Sequence, residues 1–193
     1  LIHRSVRRMF ESDGGEPPSS PKVRIINLSV CDPSRPFTQL MSSWARLLDW
    51  LSLEFNVLFV VSAGNHPEDI VLHEVQNNGL TGLPGEELEA ACIRSMQSKA
   101  RIRRILSPAE AINVLTIGAS HGDASPATAM GNRIDPLITP GFPSPVNPLG
   151  MGFRRAIKPE ILTPGGRQTY TEKLGFSHPN ATLQVSSFGR APG

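Results

Sequence analysis

Apolar residues recur at steps of three and four from Phe37 to Phe55, at Phe37, Leu40, Met41, Trp44, Leu47, Leu48, Leu51 and Phe55. This spacing predicts the clearest helix of the chain. Before it, Val23–Val30 (VRIINLSV) is rich in β-branched residues and predicts a strand, followed by a proline-bounded turn at Asp32–Pro36. After it, Val57–Ser62 is a continuous apolar run of strand length that stops at Ala63-Gly64-Asn65. Strand, helix and apolar strand in succession predict a right-handed βαβ unit with parallel strands buried on both faces. Upstream, residues 1–11 predict a short basic helix with Ile2, Val6, Met9 and Phe10 on one face, and 12–22 a polar loop. Downstream, 66–85 reads as irregular. Residues 86–104 predict a charged amphipathic helix with Leu88, Ala91, Cys92 and Met96 inward. Ser107-Pro108-Ala109-Glu110 reads as a helix start, with Ser as N-cap, Pro at the first helical position and Glu three residues after the cap. Asn113–Ala119 predicts a third strand, 120–156 a proline-rich loop, and Lys158–Leu162 a short strand closing at Thr163-Pro164-Gly165-Gly166. The remaining tail has no clear period.

Three parallel-type strands with intervening helices predict an α/β fold. The length of 193 residues fits one domain. Composition adds 17 Gly and 18 Pro, hence many loops, and a net charge of only +2, too small for a dedicated nucleic-acid binder. No apolar run reaches the roughly 18 residues of a membrane span. Leu1-Ile2-His3-Arg4 does not read as a signal peptide, so the expected home is the cytoplasm. Cys31 and Cys92 have no metal-ligand spacing; they are two reduced thiols or a single disulfide.

In parallel sheets chemistry collects at the carboxyl ends of strands. Those ends here carry Ser29-Val30-Cys31, Ser62-Ala63-Gly64-Asn65 and Gly118-Ala119-Ser120. An Asn at that edge behind small residues is a fixed donor for developing negative charge. The plainer reading is that Gly-Asn turns the chain out of a strand. His66, next in line, either caps the loop or puts a titratable group beside that donor.

Four segments, in order, carry a resemblance to one family. Ile25-Ile26-Asn27-Leu28-Ser29-Val30-Cys31 resembles the V-I-N-M-S-L-G segment of subtilisin-like serine proteases. Val60-Val61-Ser62-Ala63-Gly64-Asn65 is similar to their S-A-G-N motif. Ser107-Pro108-Ala109 through Val114–Ala119 and Ile157–Gly165 resemble their S-P-A…V-G-A and K-P-E-I…P-G segments. Together they cover about residues 23–165. The resemblance implies a three-layer, mostly parallel α/β sheet flanked by helices, with an insertion at 66–106. It implies that Asn65 is the oxyanion-hole donor and that Ser62, Ala63 and Gly64 wall the pocket for the residue before the scissile bond. Thr163-Pro164-Gly165 would lie near its floor. Ser29, Val30 and Cys31 would be the edge on which a peptide or protein substrate pairs, with Cys31 where the family usually has Gly.

The family's D-S/T-G, H-G-T and G-T-S motifs are absent. Asp13-Gly14-Gly15 lacks a preceding apolar strand, His121-Gly122-Asp123 follows Asn65 instead of preceding it, and Ser186-Ser187 stands in the tail without G-T-S. The expectation is a catalytic domain truncated at both ends, inactive alone, needing no cofactor and no metal. Asp123 and Asp135 are the only carboxylates of the 120–156 loop, too few for a calcium site. Sheet edges exposed by truncation would favour self-association. The alternative is a non-catalytic pseudo-protease whose basic stretch, Arg94, Lys99, Arg101, Arg103 and Arg104, with Arg4, Arg7 and Arg8, holds an acidic partner.

Overall fold

The computed structural model describes residues 1–76, 80–122, 133–148, 150–173 and 180–185. The chain forms two compact units. The first comprises Leu1–Gly64, Arg104–Gly118 and Pro148–Ile161, and the second Asn65–Arg103, Ala119–Asn147 and Leu162–Gly193.

The backbone of the first unit is the expected βαβ pattern. Strand β1 (Ile25–Leu28) pairs in parallel with β3 (Leu58–Ser62), and β3 pairs in parallel with β6 (Val114–Ser120). With β8 (Ile161–Pro164) they make a mostly parallel four-stranded sheet in the order β1-β3-β6-β8. Helix α1 (Ile2–Phe10) and helix α2 (Ser43–Phe55) supply the packing partners. Val6, Ala45, Leu48, Leu51, Phe59, Val61 and Val114 share one buried cluster, and Phe10 stacks on Phe55 with ring centroids 5.0 Å apart. Both faces of β1 were expected to be buried. Instead β1 is an edge strand with Ile25 64% exposed, so only its Ile26 and Leu28 face meets the core.

Several boundaries differ from expectation. Helix α2 begins at Ser43, not Phe37, because Ser42 caps it: the Ser42 hydroxyl accepts from Ala45 N at 3.0 Å. Phe37 is buried outside the helix, its N–H donating to Ile105 O. The segment read as a turn is strand β2 (Asp32–Pro36), paired antiparallel with β5 (Leu106–Ser107) in an isolated ribbon, where prolines at the free edge cost no ladder bond. Ser107-Pro108-Ala109-Glu110 does not start a helix of its own. Its two capping residues serve α2: Glu110 Oε1 accepts from Ser42 N at 2.9 Å, and the Ser107 and Ser42 hydroxyls share a 2.6 Å hydrogen bond. The Lys158–Leu162 strand is displaced to β8, and Lys158 and Glu160 ahead of it clamp β6. Lys158 Nζ, fully buried, donates to Val114 O at 3.0 Å and pairs with Glu160 at 2.5 Å, whose other carboxylate oxygen accepts from Thr116 N at 2.8 Å.

The second unit contains an antiparallel sheet that the sequence reading did not anticipate. Strand β4 (Ile70–Gln76) lies in the segment read as irregular, and β9 (Tyr170–Lys173) and β10 (Asn180–Val185) in the tail read as having no period. With β7 (Arg133–Ile134) from the proline-rich loop they take the order β4-β10-β9-β7. Helix α3 (Gly85–Ser98) packs on β4 through Leu88, Ala91 and Cys92, with Ile70, Leu72 and Tyr170 in the same cluster. It ends six residues earlier than expected. Both cysteines are free thiols, and burial pushes Cys92 up to about 12, so it is unreactive near neutrality. No described helix is long and apolar enough to cross a membrane.

Candidate functional site

Strand β3 ends where the sequence places its chemistry. Ser62 closes the strand and its hydroxyl accepts from Gly64 N at 3.1 Å. Ala63 is wholly buried and tied on both sides, donating to Ile117 O at 2.9 Å and accepting from Leu106 N at 2.9 Å. Gly64 then turns the chain at φ +106°, a conformation glycine adopts without strain. A Cβ there would lie 2.7 Å from Leu106 Cγ and Cδ1, and Leu106 is itself buried. Gly64→Ala is therefore expected to destabilise the chain by about 2 kcal/mol, combining overpacking with left-handed strain. Denaturant titration of the variant measures this. An unchanged midpoint would mean that the turn tolerates a side chain.

Asn65 follows this turn and is exposed. Ser29 and Val30 are also exposed and Cys31 is half-buried; the three link β1 to β2. The chain leaves the Ser29–Cys31 backbone outside the paired register of β1, which stops at Leu28. Thr163, Pro164 and Gly165 are exposed. Gly165 runs against Ala119, where a Cβ would come within 2.5 Å of the Ala119 methyl, and its N–H donates to Ser120 O.

His66 is buried and fastened: its N–H donates to Val146 O at 2.8 Å and its Nδ1 lies 3.2 Å from Glu68 Oε1. Glu68 also meets Arg103, 3.4 Å away. Burial would raise the Glu68 carboxyl, but its own backbone N–H, His66 and the Arg103 charge together hold it below the usual value. Arg103 is only 2% exposed and also donates to Pro145 O. That corrects the basic-face reading. Only Arg94 of the five cations lies within α3; Lys99 donates to Asp69 O at 2.9 Å, Arg103 is interior, and Arg104 donates to Thr38 O at 3.0 Å.

The His121 that resembled a catalytic motif has both ring nitrogens engaged. Nε2 lies 2.7 Å from Asp135 Oδ1, and Nδ1 accepts from Gln168 N at 3.3 Å. With Nδ1 accepting, Nε2 carries the proton and donates to Asp135. Asp123, the other carboxylate weighed for a metal, lies outside the described residues. Nearby, Glu89 receives Ile138 N, Thr139 N and the Thr139 hydroxyl, each at 2.7 Å. The Thr139 hydroxyl, ahead of the two backbone N–H groups, holds this buried carboxyl below its ordinary value of 4.5. A depressed folded value stabilises the fold above the unfolded value, and this contribution is lost as pH falls through the folded one. Acidification from neutrality is therefore expected to lower the unfolding midpoint below about pH 4.5. Glu89→Gln should flatten that dependence. A Glu89→Gln profile parallel to that of the parent would refute the assignment.

Sequence reasoning did not single out the Glu68–Arg103 pair, the His121–Asp135 pair or the Lys158–Glu160 clamp. Glu68 meets Arg103 across 35 residues, and Lys158 and Glu160 reach Val114 and Thr116 across 44, so no local spacing announces these contacts.

The profile described as Subtilase family, a family of serine peptidases, matches residues 4–189. An uncharacterized protein, y4bN, of Sinorhizobium fredii (strain NBRC 101917 / NGR234) is 34% identical over 146 residues, 74% of this chain and 31% of that protein. The chain thus spans about a third of that relative's length. No solved structure matches the chain significantly. A profile match over nearly the whole length, on a mostly parallel sheet with the S-A-G-N turn at the end of β3, shows that the chain belongs to the subtilase family.

Proposed function

We propose that this chain supplies part of the catalytic domain of a serine endopeptidase, contributing Asn65 as the oxyanion donor. Ser29, Val30 and Cys31 serve as the backbone edge on which a peptide substrate pairs, and Ser62, Ala63 and Gly64 as a wall of the adjoining pocket. The observation that carries this reading is the end of β3: a buried, doubly bonded Ala63 and a left-handed Gly64 deliver an exposed Asn65. A side-chain amide so placed has an N–H free to meet charge that develops outside the fold. Exposed residues just beyond β1, Ser29 and Val30, outside its paired register, leave backbone on which a peptide could add as a strand.

In this proposal a serine on a longer polypeptide attacks the scissile carbonyl and a histidine takes its proton. The tetrahedral oxyanion is held by the Asn65 amide and a backbone N–H of the nucleophile. The sequence contains no D-S/T-G, H-G-T or G-T-S motif, so this chain alone is expected to be inactive. A longer protein carrying all three motifs is expected to hydrolyse casein and to be labelled by a serine-directed fluorophosphonate, whereas the 193-residue chain is not. A longer protein that neither labels nor cleaves would replace this reading with that of a non-catalytic binding scaffold.

A further inference from the structure

Helix α1 is poorly supported at its start, although Arg7 and Arg8 in its last turn and the Arg7–Glu11 pair favour its end. It is nine residues long, has no side-chain cap at Leu1 and no acidic residue in its first turn. Arg4 stands three residues from Arg7 and four from Arg8, spacings at which like charges on a helix repel. Neither the hydrophobic core nor the proposed peptidase chemistry requires these cations, since α1 buries only Val6 and packs through Ile2 and Phe10 on the opposite side. The polar side instead borders a cavity of about 360 Å³ lined by His3, Arg4, Arg7, Arg8, Glu11 and Asp13. The loop after the helix is folded back to form it. Ser19 N and Ser20 N donate to Arg8 O and Met9 O at 3.1 and 3.0 Å, and Asp13 bridges Glu16.

The cations are partly oriented already. Arg7 Nε donates to Glu11 at 2.6 Å, and Arg8 Nη1 donates to Pro17 O at 2.6 Å. A guanidinium has five N–H donors, so each retains several. Arg4 is exposed at the cavity. Three guanidinium forks at one concavity match the oxygens of a phosphate group. The carboxylates of Asp13 and of Glu11, which is already paired with Arg7, can accept hydrogen bonds from hydroxyl groups. A cluster of cations that the fold relieves only in part, through Glu11 and Pro17 O, marks a place where function can be satisfied at the expense of stability.

We propose that this cavity is a binding site for a small phosphate ester bearing hydroxyl groups, with Arg4, Arg7 and Arg8 on the phosphate and Glu11 and Asp13 on the hydroxyls. The site goes beyond the peptidase reading and stands or falls separately from it, because its test uses the 193-residue chain and no proteolytic readout.

Titration calorimetry at constant ionic strength, with Trp fluorescence as a second signal because His3 packs on Trp50 at 5.6 Å, is the test. Ribose 5-phosphate is expected to bind saturably, inorganic phosphate more weakly, and ribose not measurably. Arg4→Gln and Arg8→Gln should each weaken ribose 5-phosphate by about tenfold or more, the cost of a charged hydrogen bond. Arg4→Gln should at the same time hold or raise the unfolding midpoint of the free chain, since it removes repulsion. Arg4→Lys keeps the charge, loses the fork and should also weaken binding, which covers failure of Arg4→Gln to fold. Arg46→Gln, an exposed cation on α2, should change nothing. Absence of saturable binding, equal affinity for phosphate and its ester, or an Arg46→Gln effect as large as that of Arg4→Gln would overturn the proposal.

Discussion

Asn65→Ala, made in a longer, active protein containing this chain, is expected to lower kcat by about 10²–10³, or 2.7–4 kcal/mol of barrier, while KM stays nearly constant. The split follows from when the contact forms. A donor aimed at the oxyanion meets full negative charge only in the transition state, so its loss spares ground-state binding. Asn65 is exposed, and the turn that presents it is held by Ser62, Ala63 and Gly64, so the variant should unfold like its parent. Steady-state kinetics beside a thermal melt give both quantities. A loss of kcat accompanied by a lowered melting point would make Asn65 a structural residue. A KM effect alone would make it a substrate contact, and the oxyanion role would fall.

Glu160→Ala is expected to be strongly destabilising. It leaves the Lys158 ammonium, whose side chain is 2% exposed, with Val114 O as its one remaining partner among the described residues. Breaking a buried pair costs about 3–5 kcal/mol because the remaining charge is stranded. Glu160 itself is a third exposed, so water can reach the gap and the lower end, about 3 kcal/mol, is the expected figure. For a chain of this size that is roughly 10 °C in Tm. Removing the charge as well, in Lys158→Met with Glu160→Gln, should recover most of the loss. A double variant as unstable as Glu160→Ala would mean that the Thr116 N–H bond to Glu160, not the stranded ammonium, carries the effect.

Elements held together by their own periodicity were readable in the sequence: α1, α2, α3 and the parallel strands β1, β3 and β6 all fall within a few residues of expectation, apart from the two ends noted for α2 and α3. Their apolar faces follow from each segment's own period, so the pattern is local even where the partner is not. The antiparallel strands were not readable for the opposite reason. Strand β10 pairs with β4 across more than a hundred residues, with a register shift at Asn180–Ala181, and β7 is two residues long. Short strands with such remote partners leave no spacing to detect. The turn ending in Asn65 could be located because an apolar run stops there abruptly. Its left-handed Gly64, by contrast, is forced by a Leu106 side chain some forty residues away. Ser107 and Glu110 show the same division: the capping chemistry was visible, but the helix it serves was not.

That last arrangement has a consequence for the order of assembly. Ser42 can cap Ala45 as soon as the helix is synthesised, but its own N–H waits for Glu110, and its hydroxyl for Ser107, until 65 or more further residues have been made. The seam that seats the start of α2 is thus a long-range contact, slow to close and formed only after β5 has arrived. A nascent chain halted before residue 107 would carry α2 with a fraying first turn over an otherwise formed β1–β3 pair. Pulsed hydrogen exchange during refolding should then show Ser42 N protected later than the amides in the middle of α2. The helix that is plainest in the sequence would be the one whose beginning is decided last.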